Sequence, residues 1–178
     1  AFWGCTSLTS IVIPEGVTAI GYRVFQNCTS LTSVVIPSSV TKIGDKAFRG
    51  CTSLKSIEFP QSLTVIDYEA FKDCSSLTSV VIPSSVTEIS GNAFEGCSSL
   101  TSIVVEEGNS VYDSREGCNA IIETATNKLI QGSASTIIPS SVTSIGEEAF
   151  GGCSSLTSVI IPEGVTAIGY RVFQNCTS

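Results

Sequence analysis

Cysteine is the residue of this chain whose type and spacing could most directly do chemistry, because thiolates act as nucleophiles and as metal ligands. The cysteines stand at positions 5, 28, 51, 74, 97, 118, 153 and 176, so the first five follow one another every 23 residues. Metal sites use clustered thiols such as C-x-x-C, which this spacing does not provide. The regular interval instead predicts a ladder of free, buried thiols that includes Cys28, Cys51 and Cys74. The thiols expected to react first are the out-of-phase Cys118 and the terminal Cys5 and Cys176.

The remaining titratable residues do not form a recognisable catalytic set. The chain has no histidine, so a histidine-activated nucleophile and a histidine metal site are both excluded. Its 16 carboxylates are scattered, and the adjacent Glu147 and Glu148 are only weak evidence for the paired acids that glycoside hydrolysis requires. The spacing of Glu107, Asn109 and Asp113 does not match a calcium-binding loop. The sequence therefore predicts no catalytic residue, no cofactor site and no metal site, and the protein is expected not to be an enzyme.

The 23-residue interval extends to the whole sequence and predicts a repeat solenoid. Residues 28–50 read CTSLTSVVIPSSVTKIGDKAFRG and residues 74–96 read CSSLTSVVIPSSVTEISGNAFEG. Alternation in the first coil places Ile11 and Ile13 on the inner face of a strand, with Ser10 and Val12 on the outer face. Pro14 then ends the strand, since proline cannot donate to a β-ladder.

The rest of each coil offers further core positions. In the first coil Val17 and Ile20 form a second inward pair, and the segment that follows is long enough for one or two helical turns. Gly50 and Gly96 are plausible stops for such turns. We expect the phenylalanines that recur at one repeat position to stack in a buried column: Phe25, Phe48, Phe71, Phe94, Phe150 and Phe173.

These features predict one right-handed solenoid over residues 1–178, with one parallel β-sheet and short helical or irregular turns on the opposite side. The strands are expected at 8–13, 31–36, 54–59, 77–82, 100–105 and 156–161. An enlarged, irregular repeat lies at about 104–139. Its short β-type runs, SVYDS, NAIIE and NKLIQG, predict a small antiparallel excursion on the flank. Whether this is a functional loop or a decorated coil without a ligand is left open.

The repeat resembles the BspA-type leucine-rich repeats, whose pattern is Cys-x-x-Leu-x-x-Ile-x-Ile-Pro-x-x-Val-x-x-Ile-x-x-x-Ala-Phe-x-x. The resemblance covers nearly the whole chain and extends to a longer repeat variant at 104–139. Ser133 departs from the cysteine often found in that variant, and Thr136 replaces Ile or Val, so this coil is expected to have a weaker core. The resemblance implies a bacterial protein that is extracellular or at the cell surface and binds host proteins.

Charge narrows the possible partners. The net charge is −7 and the 9 basic residues are never clustered, which argues against nucleic acid. No apolar run reaches eighteen residues, so no membrane span is predicted.

The outer face of the predicted sheet is the candidate binding face. Its residues are an apolar column with one charged interruption: Val12, Val35, Lys55, Glu58, Val81, Val104 and Ile160, with Ile137 from the irregular coil. A contiguous apolar patch favours a binding surface, although β-branched residues also simply suit a sheet. The first function predicted is a non-enzymatic adhesion module that recognises protein or glycan partners through this face.

The alternative function is structural self-association through the ends of the solenoid. The sequence IPEGVTAIGYRVFQNCTS occurs at 13–30 and again at 161–178, so both termini stand at the same repeat phase. Termini at the same repeat phase are expected if the chain is an excerpt from a longer array, or if its ends stack on another copy. The candidate end-stacking residues are Phe2, Trp3, Ile168 and Phe173.

Overall fold

The computed structural model describes residues 1–177 and forms a parallel β-solenoid of about seven turns, as the repeat predicts. Its strands are short and occur at one or two places in each coil. In chain order they are β1 Ser10–Val12, β2 Ala19–Ile20, β3 Ser33–Val35, β4 Lys42–Ile43, β5 Val65–Ile66, β6 Ser79–Ile82, β7 Glu88–Ile89, β8 Ser102–Val105, β9 Tyr112–Asp113, β10 Ile121–Glu123, β11 Lys128–Gln131, β12 Ser144–Ile145 and β13 Ala167–Ile168.

The parallel strands form two ladders, which corrects the expectation of one sheet. The predicted sheet is present as two separate pairs, β1–β3 and β6–β8. The expected strands at 54–59 and 156–161 are not strands, so this ladder is interrupted. A second ladder, β2–β4–β5–β7, contains Ile20 of the second inward pair, and β12–β13 repeats the same pairing after the irregular coil.

The far side of each coil consists of turns. Of the two predicted forms, short helical turns or irregular turns, the irregular form is therefore the one present. Lys46 and Gly50 have φ values of +57° and +73°, and left-handed residues four apart interrupt any α-helix. The turns instead bond to the next coil: the N–H of Phe48 donates to the carbonyl of Ala70 over 2.8 Å, and the N–H of Phe71 does the same to Ala93. A 3₁₀-helix at Arg115–Gly117 is the one helix among residues 1–177.

The phenylalanine column is present, with one break. Ring centroids lie 5.2–5.4 Å apart through five consecutive stacked rings: Phe2, Phe25, Phe48, Phe71 and Phe94. Phe150 stacks on Phe173 in the last coils, but it does not stack on Phe94. Phe173 is 37% exposed because no coil within residues 1–177 covers its outer side, which corrects its expected burial. The core is divided at the same break into two clusters.

The irregular coil contains the expected antiparallel excursion. Strand β10 pairs antiparallel with both β9 and β11, and β11 then pairs parallel with β12. The coil's polar substitutions are satisfied: Ser133 and Thr136 are buried, and both hydroxyls donate to the carbonyl of Asn119, at 3.0 and 2.7 Å. These hydrogen bonds offset the cost of burying two hydroxyls, so they stabilise the irregular coil despite its weaker apolar core.

Candidate functional site

The predicted binding-face residues all lie at exposed positions, and four of the valines face outward from the two strand pairs of the first ladder. Val12 lies opposite Val35 in the β1–β3 register, and Val81 lies opposite Val104 in the β6–β8 register. Their neighbours Val34 and Val80 point into the core, as strand alternation requires. The apolar members are 43–86% exposed: Val12, Val35, Val81, Val104, Ile137 and Ile160.

The threonines beside this column serve the fold. The Thr32 hydroxyl donates to the carbonyl of Thr9 over 3.0 Å, and the Thr101 hydroxyl donates to that of Thr78 over 3.4 Å. The hydroxyls of Thr32, Thr78 and Thr101 are therefore engaged by the backbone of the preceding coil. This leaves the apolar column and its charged interruption as the part of the face that is available to a partner.

Lys55 and Glu58 form the charged interruption, and both are exposed. Neither makes an ion pair within residues 1–177, so both charges are free to meet a partner. They lie where the ladder is open, because no backbone hydrogen bond joins β3 to residues 54–59 in the described chain. A groove of about 320 Å³ runs along this opening, between Val35 and Ile36 on one side and Ile57 and Glu58 on the other.

The groove was not predicted from the sequence, although one residue at a core position of this coil differs from its equivalents in a way that indicates it. Phe59 occupies the repeat position that holds Ile13, Ile36 and Ile82 in other coils. Its ring packs edge-on against Phe71, with centroids 5.6 Å apart. The larger side chain at an inward position separates this coil from β3, and the ladder opens.

The end-stacking candidates lie at opposite ends of the solenoid. Trp3 is 64% exposed at the first coil, and Ile168 is 54% exposed at the last. The first end also has an apolar hollow of about 300 Å³ that Phe2, Val17 and Phe25 help to line. Each end therefore exposes the surface that another coil covers elsewhere in the molecule.

The thiols are structural. All eight cysteines are free, and Cys28, Cys51 and Cys74 are fully buried, as predicted. The Cys51 thiol donates to the carbonyl of Phe25 over 3.1 Å, and the Cys74 thiol donates to that of Phe48 over 3.2 Å. Burial raises the pKa of Cys51 to about 12. The thiol column thus bonds successive coils and remains protonated.

Cys118 does not fit its predicted reactivity. It is 1% exposed, and burial raises its pKa. Cys5 and Cys176 are half-buried in the first and last coils, so they are the thiols that solvent reaches.

Several carboxylates belong to an ion-pair network on the turn side. Glu69 accepts from Arg49 over 2.6 Å and lies 3.4 Å from the Lys72 ammonium. Although burial opposes it, Lys72 and Arg49 hold the pKa of Glu69 below its usual value. The described residues contain no group of three potential metal ligands, and they form no helix long and apolar enough to cross a membrane. These ion pairs link successive coils, as Arg49 does with Glu69 and Lys72 with Glu95.

The coil geometry and the exposed sheet column together define a leucine-rich-repeat-type solenoid, a class whose members are typically binding modules. The family model for the BspA type leucine rich repeat region matches in six copies over residues 1–118 and 129–178. The chain belongs to this family.

Solved structures of bacterial leucine-rich repeat proteins resemble the chain over almost its full length. A leucine-rich repeat protein of T. pallidum is 32% identical with a TM-score of 0.66, and the match covers 99% of this chain and 67% of that one. A leucine rich cell surface protein of Faecalibacterium prausnitzii A2-165 is 31% identical with a TM-score of 0.76, over 99% and 54%. A leucine-rich repeat protein of Eubacterium ventriosum is 27% identical with a TM-score of 0.72, over 94% and 51%. The chain thus spans about half the length of the last two. A comparison with curated proteins found no match.

Proposed function

We propose that this chain is a non-enzymatic binding module, extracellular or at the cell surface, that recognises a protein partner through the outer face of its first ladder. The observation that carries the proposal is the set of exposed Val and Ile side chains on this face, with the unpaired Lys55 and Glu58 between them. Apolar side chains in a column supply desolvation energy, and isolated charges supply selectivity between partners.

The groove between β3 and residues 54–59 adds a feature that favours a protein partner. Ser56, Ile57 and Glu58 have no partner for their backbone N–H groups within residues 1–177, so this segment resembles an unpaired strand edge. Extended peptide segments bind such edges through backbone hydrogen bonds, and side-chain pockets add specificity. A surface loop of a host extracellular or cell-surface protein fits this arrangement.

One similar solved protein supports the proposed location outside the cell or at its surface. The Faecalibacterium protein is described as a cell surface protein, and it is 31% identical to this chain. The net charge of −7 disfavours nucleic acid as the partner. These points and the exposed side chains of the sheet face support the proposed adhesion role.

The sheet-face proposal predicts that negative charge placed in the column weakens binding. We expect Val35→Glu combined with Val81→Glu to weaken binding to a captured extracellular host protein by at least about tenfold. The reason is that binding would bury and desolvate both introduced carboxylates in the interface. Partners would be identified on an array of purified extracellular proteins, and affinities would be measured by surface plasmon resonance.

Tyr22→Glu is the matched control for the sheet-face substitutions. Tyr22 is 59% exposed on the turn side, so the same acidic change falls outside the proposed interface. We expect this variant to bind as the unsubstituted chain does. Equal affinity of the control and the doubly substituted protein would contradict the proposal.

A second function, end-to-end self-association, is favoured by the apolar ends. A contact between the first and last coils would join different surfaces, so it would extend into open chains of molecules unless the rotation closed a ring. Exposed Trp3 and Phe2 at one end would then pack against Ile168 and Phe173 at the other.

For self-association we expect light scattering by this chain to show a mass that rises with concentration. Ile168→Glu should return the mass to that of a monomer, because the carboxylate would be buried in the contact. Ile137→Glu is the control, since Ile137 is 77% exposed but lies on the sheet face. A monomer at every concentration would rule out the end contact and leave the sheet face as the functional surface.

A further inference from the structure

A polar cavity of about 520 Å³ lies on the flank of the solenoid, between β7 and the antiparallel excursion. It arises because β7 does not pair with β12, the equivalent strand after the irregular coil. Instead β11 pairs with β12, and the N–H of Ile89 in β7 donates to the Tyr112 hydroxyl over 3.0 Å. We call this cavity, whose walls include Tyr68, Gly91, Phe94, Tyr112, Glu123 and Glu147, the flank pocket.

Gly132 follows the pocket residue Gln131 and changes the hydrogen bonding between coils next to the flank pocket. Its N–H donates to the carbonyl of Ala149 over 2.7 Å, an acceptor equivalent to Ala70 and Ala93 in the regular coils. A Cβ at Gly132 would lie 2.3 Å from the ring of Phe150, so its backbone occupies space that separates Phe150 from the preceding ring. The break in the phenylalanine column therefore lies at the same junction between coils as the flank pocket, whose wall includes Phe94.

The break also leaves backbone donors beside the flank pocket. In earlier coils the N–H groups of Lys46 and Phe48 donate to the next coil. Their equivalents, Asn92 and Phe94, both line the pocket and have no acceptor within residues 1–177. Two hydrogen-bond donors at this wall are consequently unused by the fold.

Gly91 opens the pocket toward an aromatic ring. The same repeat position holds Tyr22, Asp45 and Tyr68 in the preceding coils, so Gly91 removes a side chain that would otherwise stand beside Tyr68. A Cβ at Gly91 would meet no atom within 4 Å, and its φ lies outside the left-handed region. The Lys46 ammonium lies 4.8 Å from the Tyr68 ring centroid, and Tyr68 also forms part of the pocket wall.

The chemistry of the walls selects a class of ligand. Carboxylates of Glu123 and Glu147 accept hydrogen bonds, the Asn92 and Phe94 N–H groups donate them, and the Tyr68 ring offers an apolar surface. A sugar combines hydroxyls that donate and accept with C–H faces that pack on aromatic rings. The walls carry two carboxylates and Lys128, which disfavours an anion, and the volume lies in the range of about 300–1,000 Å³ typical of small-molecule sites.

We propose that the flank pocket binds a neutral saccharide of one or two sugar units. The site lies apart from the proposed protein-binding face, so each can be tested without the other. Free oligosaccharides and the glycans of glycoproteins share this chemistry.

The test uses the full chain and two kinds of probe. Neutral disaccharides (maltose, lactose, cellobiose and diacetylchitobiose) would be screened by saturation-transfer NMR, and glycoproteins would be compared before and after enzymatic deglycosylation. We expect at least one saccharide to bind, with an affinity that Tyr68→Ala and Gly91→Tyr each lower by about tenfold or more. If deglycosylation abolishes binding, the ligand is the glycan of a glycoprotein. If only a free disaccharide binds, the ligand is a soluble sugar.

Matched controls separate the pocket from the fold and from the sheet face. Tyr22→Ala removes a tyrosine at the same repeat position that lies outside the pocket, and it should leave saccharide binding unchanged. Gly91→Tyr fills open space, so it should retain the unfolding midpoint and the sheet-face affinity. The proposal is overturned if no saccharide binds or if binding survives both pocket substitutions. It is also overturned if the polyamine spermidine, a cation that the two pocket carboxylates would attract, binds in the pocket in preference to the sugars.

Discussion

Raising the pH above about 9 should lower the free energy of unfolding of this protein steeply. Burial raises the pKa of Cys51 to about 12 and that of Cys74 and Cys97 well above the ordinary thiol value of 9.0. An acid whose pKa is raised in the folded state stabilises the fold fully below its unfolded pKa and loses that contribution as the pH rises toward the folded pKa. Each of these thiols should therefore cost about 1.4 kcal/mol per pH unit in this window, or about 4 kcal/mol per unit for the three.

The thiol geometry explains the sign. The Cys51, Cys74 and Cys97 thiols each donate to a phenylalanine carbonyl, 3.1 Å away for Cys51 and 3.3 Å for Cys97. A thiolate would lose this bond and place its charge against the carbonyl oxygen in an apolar core. The unfolded chain ionises freely, so alkaline solution favours unfolding.

Urea denaturation at a series of pH values measures this effect. Cys51→Ala should reduce the slope by about 1.4 kcal/mol per pH unit, because one titrating group is gone. The control Thr52→Ala changes an adjacent exposed residue that does not titrate, and it should keep the full slope. An unchanged slope in Cys51→Ala would contradict the assignment of the effect to the thiol column.

Phe71→Ala is expected to lower the free energy of unfolding by about 3–5 kcal/mol. Phe71 is fully buried, stacks between Phe48 and Phe94 at 5.3 and 5.4 Å, and also contacts the edge of Phe59. Its removal leaves a cavity in the middle of the first core cluster, and neighbouring coils that are tied by backbone hydrogen bonds cannot collapse to fill it. Urea denaturation at constant m-value measures the loss.

Phe173→Ala provides the matched comparison. Phe173 occupies the same repeat position, but it is 37% exposed and stacks only on Phe150. We expect its removal to cost less than about 2 kcal/mol, since little buried area is lost and no closed cavity forms. Similar losses for the two variants would show that stacking in the column does not set the stability of a coil.

The sequence predicted the regular coils well for a physical reason. Each coil buries the same positions against its neighbours, so a residue type that recurs every 23 positions reports directly on the core. The columns of Phe48 and Cys51 and the outward direction of Val35 follow from this repetition. The structure confirms all three.

Features that depend on a fit between two particular coils were not predicted. The turn segments read as possible short helices, but left-handed residues such as Lys46 leave their N–H groups to bond to the next coil instead. The open ladder beside Glu58 depends on Phe59 being larger than the isoleucine of other coils, and a single coil does not reveal what its neighbour can accommodate.

The sequence by itself determined the repeat, the inward residues of each coil and the antiparallel excursion, because these are set by local periodicity and by contacts one period away. Only the tertiary structure decided where successive coils separate. Gly132 takes the acceptor that the preceding turn would use, and Gly91 leaves space in the wall of the flank pocket unfilled. The positions of these two glycines in the chain do not reveal this, since it depends on how an enlarged coil packs between two regular ones.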